Sequence, residues 1–118
     1  MKIRILSLML LSLIGATSVK NGDDAPLFNL LNQDDQTVSL EEFKGKKVVL
    51  EWTNHDCPFV KRHYDTGNMQ NLQKEMSDQD IVWLSIVSSA KGKQGYITND
   101  QAKELTNKRS AYPVSYTH

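Results

Sequence analysis

The chain has 118 residues, 14 of them Lys or Arg and 14 Asp or Glu, for a formal net charge of zero. That length holds one domain, and balanced charge without a basic stripe removes the electrostatic case for nucleic-acid binding. With 39% hydrophobic and 24% charged residues, the composition excludes a disordered chain and a multispan membrane protein.

Lys2 and Arg4 precede an apolar run from Ile5 to Ile14, and small residues follow at Gly15, Ala16, Thr17 and Ser18. This is the order of a secretory signal peptide. Residues 1–18 are therefore expected to direct export to the periplasm or the cell exterior, with cleavage near Ser18. The apolar core falls short of the roughly 20 residues a spanning helix needs, so no stable membrane span is expected.

The remaining domain, residues 19–118, begins with a polar lead-in. Ala25–Leu31 reads as a short strand, Asn32–Gln36 as a turn and Thr37–Leu40 as a second strand, which makes a hairpin. Ser39 and Glu42 stand at capping-box spacing. Lys47–Thr53 is an apolar strand with the pattern of a central position buried on both faces, and Trp52 is expected in the core. Beyond Pro58 a helix runs through Met76 with a kink near Gly67. Its core stripe is Met69, Leu72 and Met76, while His63 and Tyr64 are assigned to the helix surface or an interface. Ile81–Val87 is a second strong strand, Ser88–Ile97 a loop with Gly92 and Gly95, and Thr98 with Gln101 a second capping box opening a helix that buries Ala102 and Leu105. The order hairpin, strand, helix, strand, helix predicts an α/β domain with a parallel strand pair. Its reactive end lies at the carboxyl edge of those strands.

At that edge stands Cys57, the one cysteine of the sequence. A lone cysteine commonly serves as a small half-buried hydrophobe. Here, however, it sits between a strand and a helix that opens with Pro58 at its first position, where a missing N–H costs nothing. A thiol at a helix N-terminus lies in a positive field that favours thiolate, the reactive form. The amides of Phe59 and Val60 are expected to face the sulfur, with Lys61 one turn along. Asp56 opposes the field, and His55 assists only when protonated. An oxidising compartment closes no internal disulfide around a single cysteine. His55, Cys57 and His63 are ligand types for copper or zinc, but their spacing does not force them together, so no metal and no cofactor is assigned.

Gly22-Asp23-Asp24-Ala25-Pro26-Leu27-Phe28, Val38-Ser39-Leu40, Phe43-Lys44-Gly45-Lys46-Lys47-Val48-Val49-Leu50 with Trp52, and Asn54-His55-Asp56-Cys57-Pro58-Phe59-Val60-Lys61 occur in this order. Together they resemble a thioredoxin-fold redoxin of the AhpC/TSA superfamily, in its peroxiredoxin-like branch, over residues 22 to 113. The resemblance implies a thioredoxin-like α/β fold and a redox role for Cys57, which matches the peroxidatic cysteine. Its neighbours Asn54, His55, Pro58, Phe59, Val60, Lys61 and Trp52 would support it. Val60 stands where a second cysteine would complete a CxxC pair, Asn54 where peroxiredoxins carry threonine, and Leu50 where they carry proline. The implied partners are a small peroxide and an external thiol or thioredoxin-like reductant, and no oligomeric state is implied. Family members continue past Tyr112-Pro113 into two further strands, a cis-proline loop and a helix, so the domain is expected to be incomplete at its carboxyl end. The alternatives are a non-catalytic thioredoxin-like binding module and an inactive fragment of a longer redoxin.

Overall fold

The computed structural model describes residues 18–113 and the backbone of 115–117. The expected signal segment, apart from Ser18, lies outside the described residues. None of the helices among them is long and apolar enough to cross a membrane.

Strands β1 (Asn29–Leu31) and β2 (Thr37–Ser39) form the expected antiparallel hairpin, with Leu30 opposite Val38. Asn32 shapes its turn: its side-chain oxygen accepts from the amides of Asp34 and Gln36, both at 2.9 Å. Ser39 and Glu42 form the capping box of a 3₁₀ turn, Leu40–Phe43, which leads to β3 (Val48–Trp52). Helix α1 (Pro58–Asp65) and helix α2 (Asn68–Asp78) follow, separated by Gly67 at φ 74°. That left-handed residue turns the expected kink into a break between two helices. The chain continues through β4 (Val82–Ile86), α3 (Asn99–Arg109) and β5 (Ser115–Thr117), and Thr98 and Gln101 make the second capping box. Strands β3, β4 and β5 form a parallel sheet in that order.

Among the described residues β4, not β3, is the central strand. All five of its residues are buried, whereas β3 leaves Leu50 exposed and Trp52 71% exposed. The expectation of a two-sided β3 with Trp52 in the core is therefore corrected. The two apolar runs look alike in sequence, because hydrophobic pattern records burial demand and not which strand receives neighbours on both edges.

Alternation along the strands gives the sheet two different faces. Val82, Leu84 and Ile86 pack with Val38 and, more loosely, with Phe28, Leu30, Phe43 and Val48, so this face carries the hairpin. The opposite face, toward α1 and α2, is polar. Glu51 projects there, and its carboxylate accepts from the Tyr64 hydroxyl (3.2 and 3.3 Å), the Trp83 indole N–H (2.9 Å) and the Ser85 hydroxyl (2.9 Å). The Tyr64 hydroxyl in turn accepts from the Gln73 side chain at 3.1 Å, and the Gln73 carbonyl oxygen accepts from the Tyr112 amide at 3.0 Å. Tyr64 is buried, as is Gln73, which has no exposed surface.

This polar layer bears on two further expectations. Of the two places expected for Tyr64, helix surface or interface, it takes the interface. The α2 stripe is centred on Gln73, while Leu72 is exposed and Met69 and Met76 are only half-buried. A carboxylate facing the helices demands donors, and Tyr64 and Gln73 supply or relay them. A second small core of Val87, Ile97 and Ala102, with Leu105 against it, anchors α3. Lys103 to Asp34 (3.0 Å) and Asn99 to Asp35 (2.7 Å) tie that helix to the hairpin turn.

Tyr64→Phe removes one donor from Glu51 and one acceptor from Gln73 while keeping the ring. The expected loss is about 1–3 kcal/mol of unfolding free energy, read as a lower urea midpoint with an unchanged slope.

Candidate functional site

The site is built where β3 ends and α1 begins. Thr53 continues the pairing by one residue, its amide donating to the Ile86 carbonyl at 2.9 Å. Asn54 then turns the chain: its side-chain oxygen accepts from the Asp56 amide (2.9 Å) and its carbonyl from the Cys57 amide (3.1 Å). Cys57 follows in an extended conformation (φ −64°, ψ 126°) as the N-cap of α1, with Pro58 at the first helical position. The thiol is free and half-buried. Its position is the one expected, but the sulfur makes no capping hydrogen bond to the helix amides. With Pro58 starting the helix at once, the caps that sulfur can reach are few and weak compared with those of a Ser or Asp oxygen.

The loop is clamped from the other side by Gly95, which the sequence marks only as one of two glycines in a polar loop. The Gly95 amide donates to Asp56 Oδ2 at 3.2 Å. Its Cα lies so close to Asn54 that a Cβ would sit 2.6 Å from the side-chain Cγ and Oδ1, and its φ is +82°. Both facts require glycine here. The Asp56 carboxylate is thereby directed to the Gly95 amide and to His55, whose Nε2 lies 3.5 Å from Asp56 Oδ1. The His55 ring is 18% exposed and its carbonyl accepts from the Arg109 guanidinium at 3.3 Å. That guanidinium lies over the Tyr64 ring, 4.3 Å from its centre.

The remaining expected neighbours divide. The Lys61 amide donates to the Cys57 carbonyl at 2.9 Å, which puts Lys61 one helical turn above the thiol residue, and Val60 is half-buried. Phe59 is 76% exposed. Trp52 reaches over to the loop after β4, its indole N–H donating to the Ser88 hydroxyl at 3.0 Å. His63 turns to Asn68, with 3.1 Å between Nδ1 and the amide nitrogen. Among the described residues no group of three His, Cys, Asp or Glu side chains is placed to hold a metal ion.

Two of the surface hollows have His55 in their wall. One of about 390 Å³ is lined by His55, Lys61, Tyr64, Gln70, Lys108 and Arg109, with Asp65 and Leu105 completing its wall. A separate, larger one of about 560 Å³ lies between Asp24–Leu27 and Leu40–Val48, and no residue of the Cys57 loop contributes to it. The 390 Å³ hollow takes His55 and Lys61 from the segment around Cys57, and Cys57 itself is not in its wall.

A strand carrying a half-buried cysteine into a helix headed by proline, with a parallel partner strand and a preceding hairpin, matches a known family. The family model described as Redoxin matches residues 20–115. The chain belongs to the Redoxin family. A protein of Haemophilus influenzae named "Putative peroxiredoxin bcp" is 33% identical over 66 residues, which are 56% of this chain and 40% of that protein. A crystal structure of an uncharacterised conserved protein from Geobacillus kaustophilus superposes with a TM-score of 0.64 at 23% identity, covering 81% of this chain and 50% of that one. The thioredoxin domain of a thiol-disulfide oxidoreductase from Bacteroides vulgatus gives 0.61 at 16% identity, covering 85% and 64%. The fold of this redoxin is thioredoxin-like, as the sequence led us to expect. It spans less than half the length of the curated relative it matches.

Gly95→Ala forces a methyl group into Asn54 and strains a left-handed residue. We expect about 1–3 kcal/mol of destabilisation, and faster hydrogen exchange at the Asp56 and Cys57 amides than elsewhere in the sheet.

Proposed function

We propose that this redoxin is an exported one-cysteine thiol redox protein that reduces peroxides through Cys57, with an external thiol or thioredoxin-like protein as reductant. The observation that carries the reading is the place of Cys57. The sequence's single thiol stands half-buried at the strand-to-helix junction of a Redoxin-family domain, held by a loop that is itself hydrogen-bonded on both sides.

The chemistry that fits is a two-stage exchange. The Cys57 thiolate attacks one oxygen of the peroxide, forming an S–O bond as the O–O bond breaks, and the departing oxygen takes up a proton to leave as alcohol or water. The sulfenic acid then meets a first external thiol: an S–S bond forms and the hydroxyl leaves as water with that thiol's proton. A second thiol breaks the mixed disulfide, returning Cys57 as thiol and releasing the external pair as a disulfide. Peroxide is reduced by two electrons and two thiols are oxidised. Val60 accounts for this dependence on outside thiols, since it stands three positions along, where a second cysteine would complete a pair. The order of Lys2, Arg4, the apolar run and Gly15–Ser18 supports export.

Thiol-dependent peroxide consumption is expected in the wild type and absent in Cys57→Ser. Equal rates in the two proteins would overturn the reading. For export, expression of the full chain in a Gram-negative host should yield periplasmic protein whose amino terminus, by mass spectrometry, lies near Val19. An intact Met1 in the cytoplasm would show the opposite.

A further inference from the structure

We infer that β3 pairs edge to edge with the β3 of a second copy of this chain, each copy seating its Trp52 in the apolar hollow beside the other's Val48. The inference stands apart from the redox role of Cys57.

The open edge is the first argument. Among the described residues β3 has β4 on one side and no strand on the other. The Val82 amide donates to the Lys47 carbonyl at 3.0 Å and the Thr53 amide to the Ile86 carbonyl at 2.9 Å. Alternate residues of a strand serve one neighbour, so Lys47, Val49, Glu51 and Thr53 serve β4. Val48, Leu50 and Trp52 therefore direct their N–H and C=O groups to the open side. Edge strands are commonly blunted by proline, a bulge or an unmet charge. Val48–Trp52 has no proline, and its register with β4 is unbroken. Its one charge, Glu51, is already met by Tyr64, Trp83 and Ser85 and does not oppose pairing.

The second argument is a knob and a hole on the same face. Val48 packs toward the hairpin, and alternation puts Leu50 and Trp52 on that side too. Trp52 is 71% exposed and Leu50 44%. Val48 lines the hollow of about 560 Å³ together with Leu27, Leu40 and Phe43. Its two lysines, Lys44 and Lys46, are already paired with Glu41 and Asp80, at 2.6 and 3.0 Å. An apolar wall with neutralised cations favours an apolar occupant.

Symmetry selects a second copy as that occupant. Knob and hole stand two residues either side of Leu50. Antiparallel pairing about a two-fold axis at Leu50 sets Leu50 against Leu50, and Val48 against the other copy's Trp52. All three open-side residues then form hydrogen-bonded pairs, each pair exchanging two N–H···O bonds. On the opposite face Glu51 meets the other copy's Val49 and Lys47 meets its Thr53, so no like charges stand across from each other. Each Trp52 lies over the hollow its partner supplies, which is the self-complementarity of a closed, isologous dimer. To enter, the indole gives up its exposed bond to Ser88 (3.0 Å), a smaller contribution than the burial of the ring. The two rings bury roughly 150–250 Å² each and the hollows lose about as much. With the paired strands, the total reaches about the 1,000 Å² that a specific interface needs.

The test is sedimentation of the full chain over a concentration series up to about 100 μM. A monomer–dimer equilibrium is expected, weakened about tenfold or more by Trp52→Ala and by Leu50→Lys, which sets two charges on the two-fold axis. Leu72→Lys, an equal change at an exposed leucine of α2, should leave it unaltered, with circular dichroism confirming the fold of each variant. In a second measurement, which needs only a small substitution, Leu50→Cys and Leu72→Cys are each placed in a Cys57→Ser background and treated with a short bismaleimide. Position 50 should give a covalent dimer and position 72 should not. A chain that stays monomeric, or equal loss in Leu50→Lys and Leu72→Lys, overturns the inference. So does growth past the dimer, because a two-fold edge pair closes on itself.

Discussion

The placement of Cys57 depends on a carboxylate that the fold has put between its layers. Glu51 leaves the sheet toward α1 and α2 and is met there by Tyr64, Trp83 and Ser85. A carboxylate so placed, if left unpaired, would destabilise the domain by several kcal/mol, on the order of the whole folding free energy of a small protein. Satisfying it requires α1 to sit at one distance and one rotation, because the Tyr64 hydroxyl reaches Glu51 only from the correct face of the helix. A purely apolar interface tolerates sliding, whereas a hydrogen-bonded one does not. Since Cys57 is the N-cap of α1, fixing the helix fixes the thiol.

The same network reaches further along the chain. Gln73 passes from Tyr64 to the Tyr112 amide, and Gln70 holds the carbonyls of Tyr64 and Arg109. The end of α3 is thereby drawn against α1, and Arg109 comes to rest over Tyr64 and beneath the His55 carbonyl. The segment before the cysteine is thus held from three directions: by β4 through Thr53, by the glycine loop through Asp56, and by α3 through His55. The loop is ordered by contacts distant in sequence, and no part of it relies on the sulfur itself, which makes no cap bond to its helix.

Much of this was legible in the chain. The hairpin, both capping boxes, the two strong strands, an interruption near Gly67 (read as a kink, found as a break) and the cysteine at a strand-to-helix junction all follow from local rules, because caps, turns and glycine conformations are decided within four or five residues. The α2 stripe has a definite cause. Met69, Leu72 and Met76 are read as core by hydrophobicity, yet the face that α1 and α2 meet is set by Glu51, a charged residue inside an apolar run. Its presence in Val48-Val49-Leu50-Glu51-Trp52 was the available signal: a carboxylate in a strand otherwise fit for the interior implies donors on the opposing layer. Gly95 left a fainter trace, since a loop glycine announces conformational freedom but not the side chain that crowds it.

The sulfur count shifts where selectivity has to reside. In a chain with two cysteines spaced for a disulfide, the second thiol attacks from a fixed distance, and its effective concentration does the work of recognition. Val60 removes that option, and in the redox role we propose an outside thiol is brought to the cysteine by surface forces. Those forces act on the residues around Cys57 rather than on the sulfur. The asymmetry of those residues is therefore informative. Phe59 and Trp52 are exposed, and Lys61, Lys108 and Arg109 line a hollow that has His55 in its wall. Apolar surface does not distinguish one thiol from another, whereas fixed charge discriminates by the groups a thiol carries beyond its sulfur.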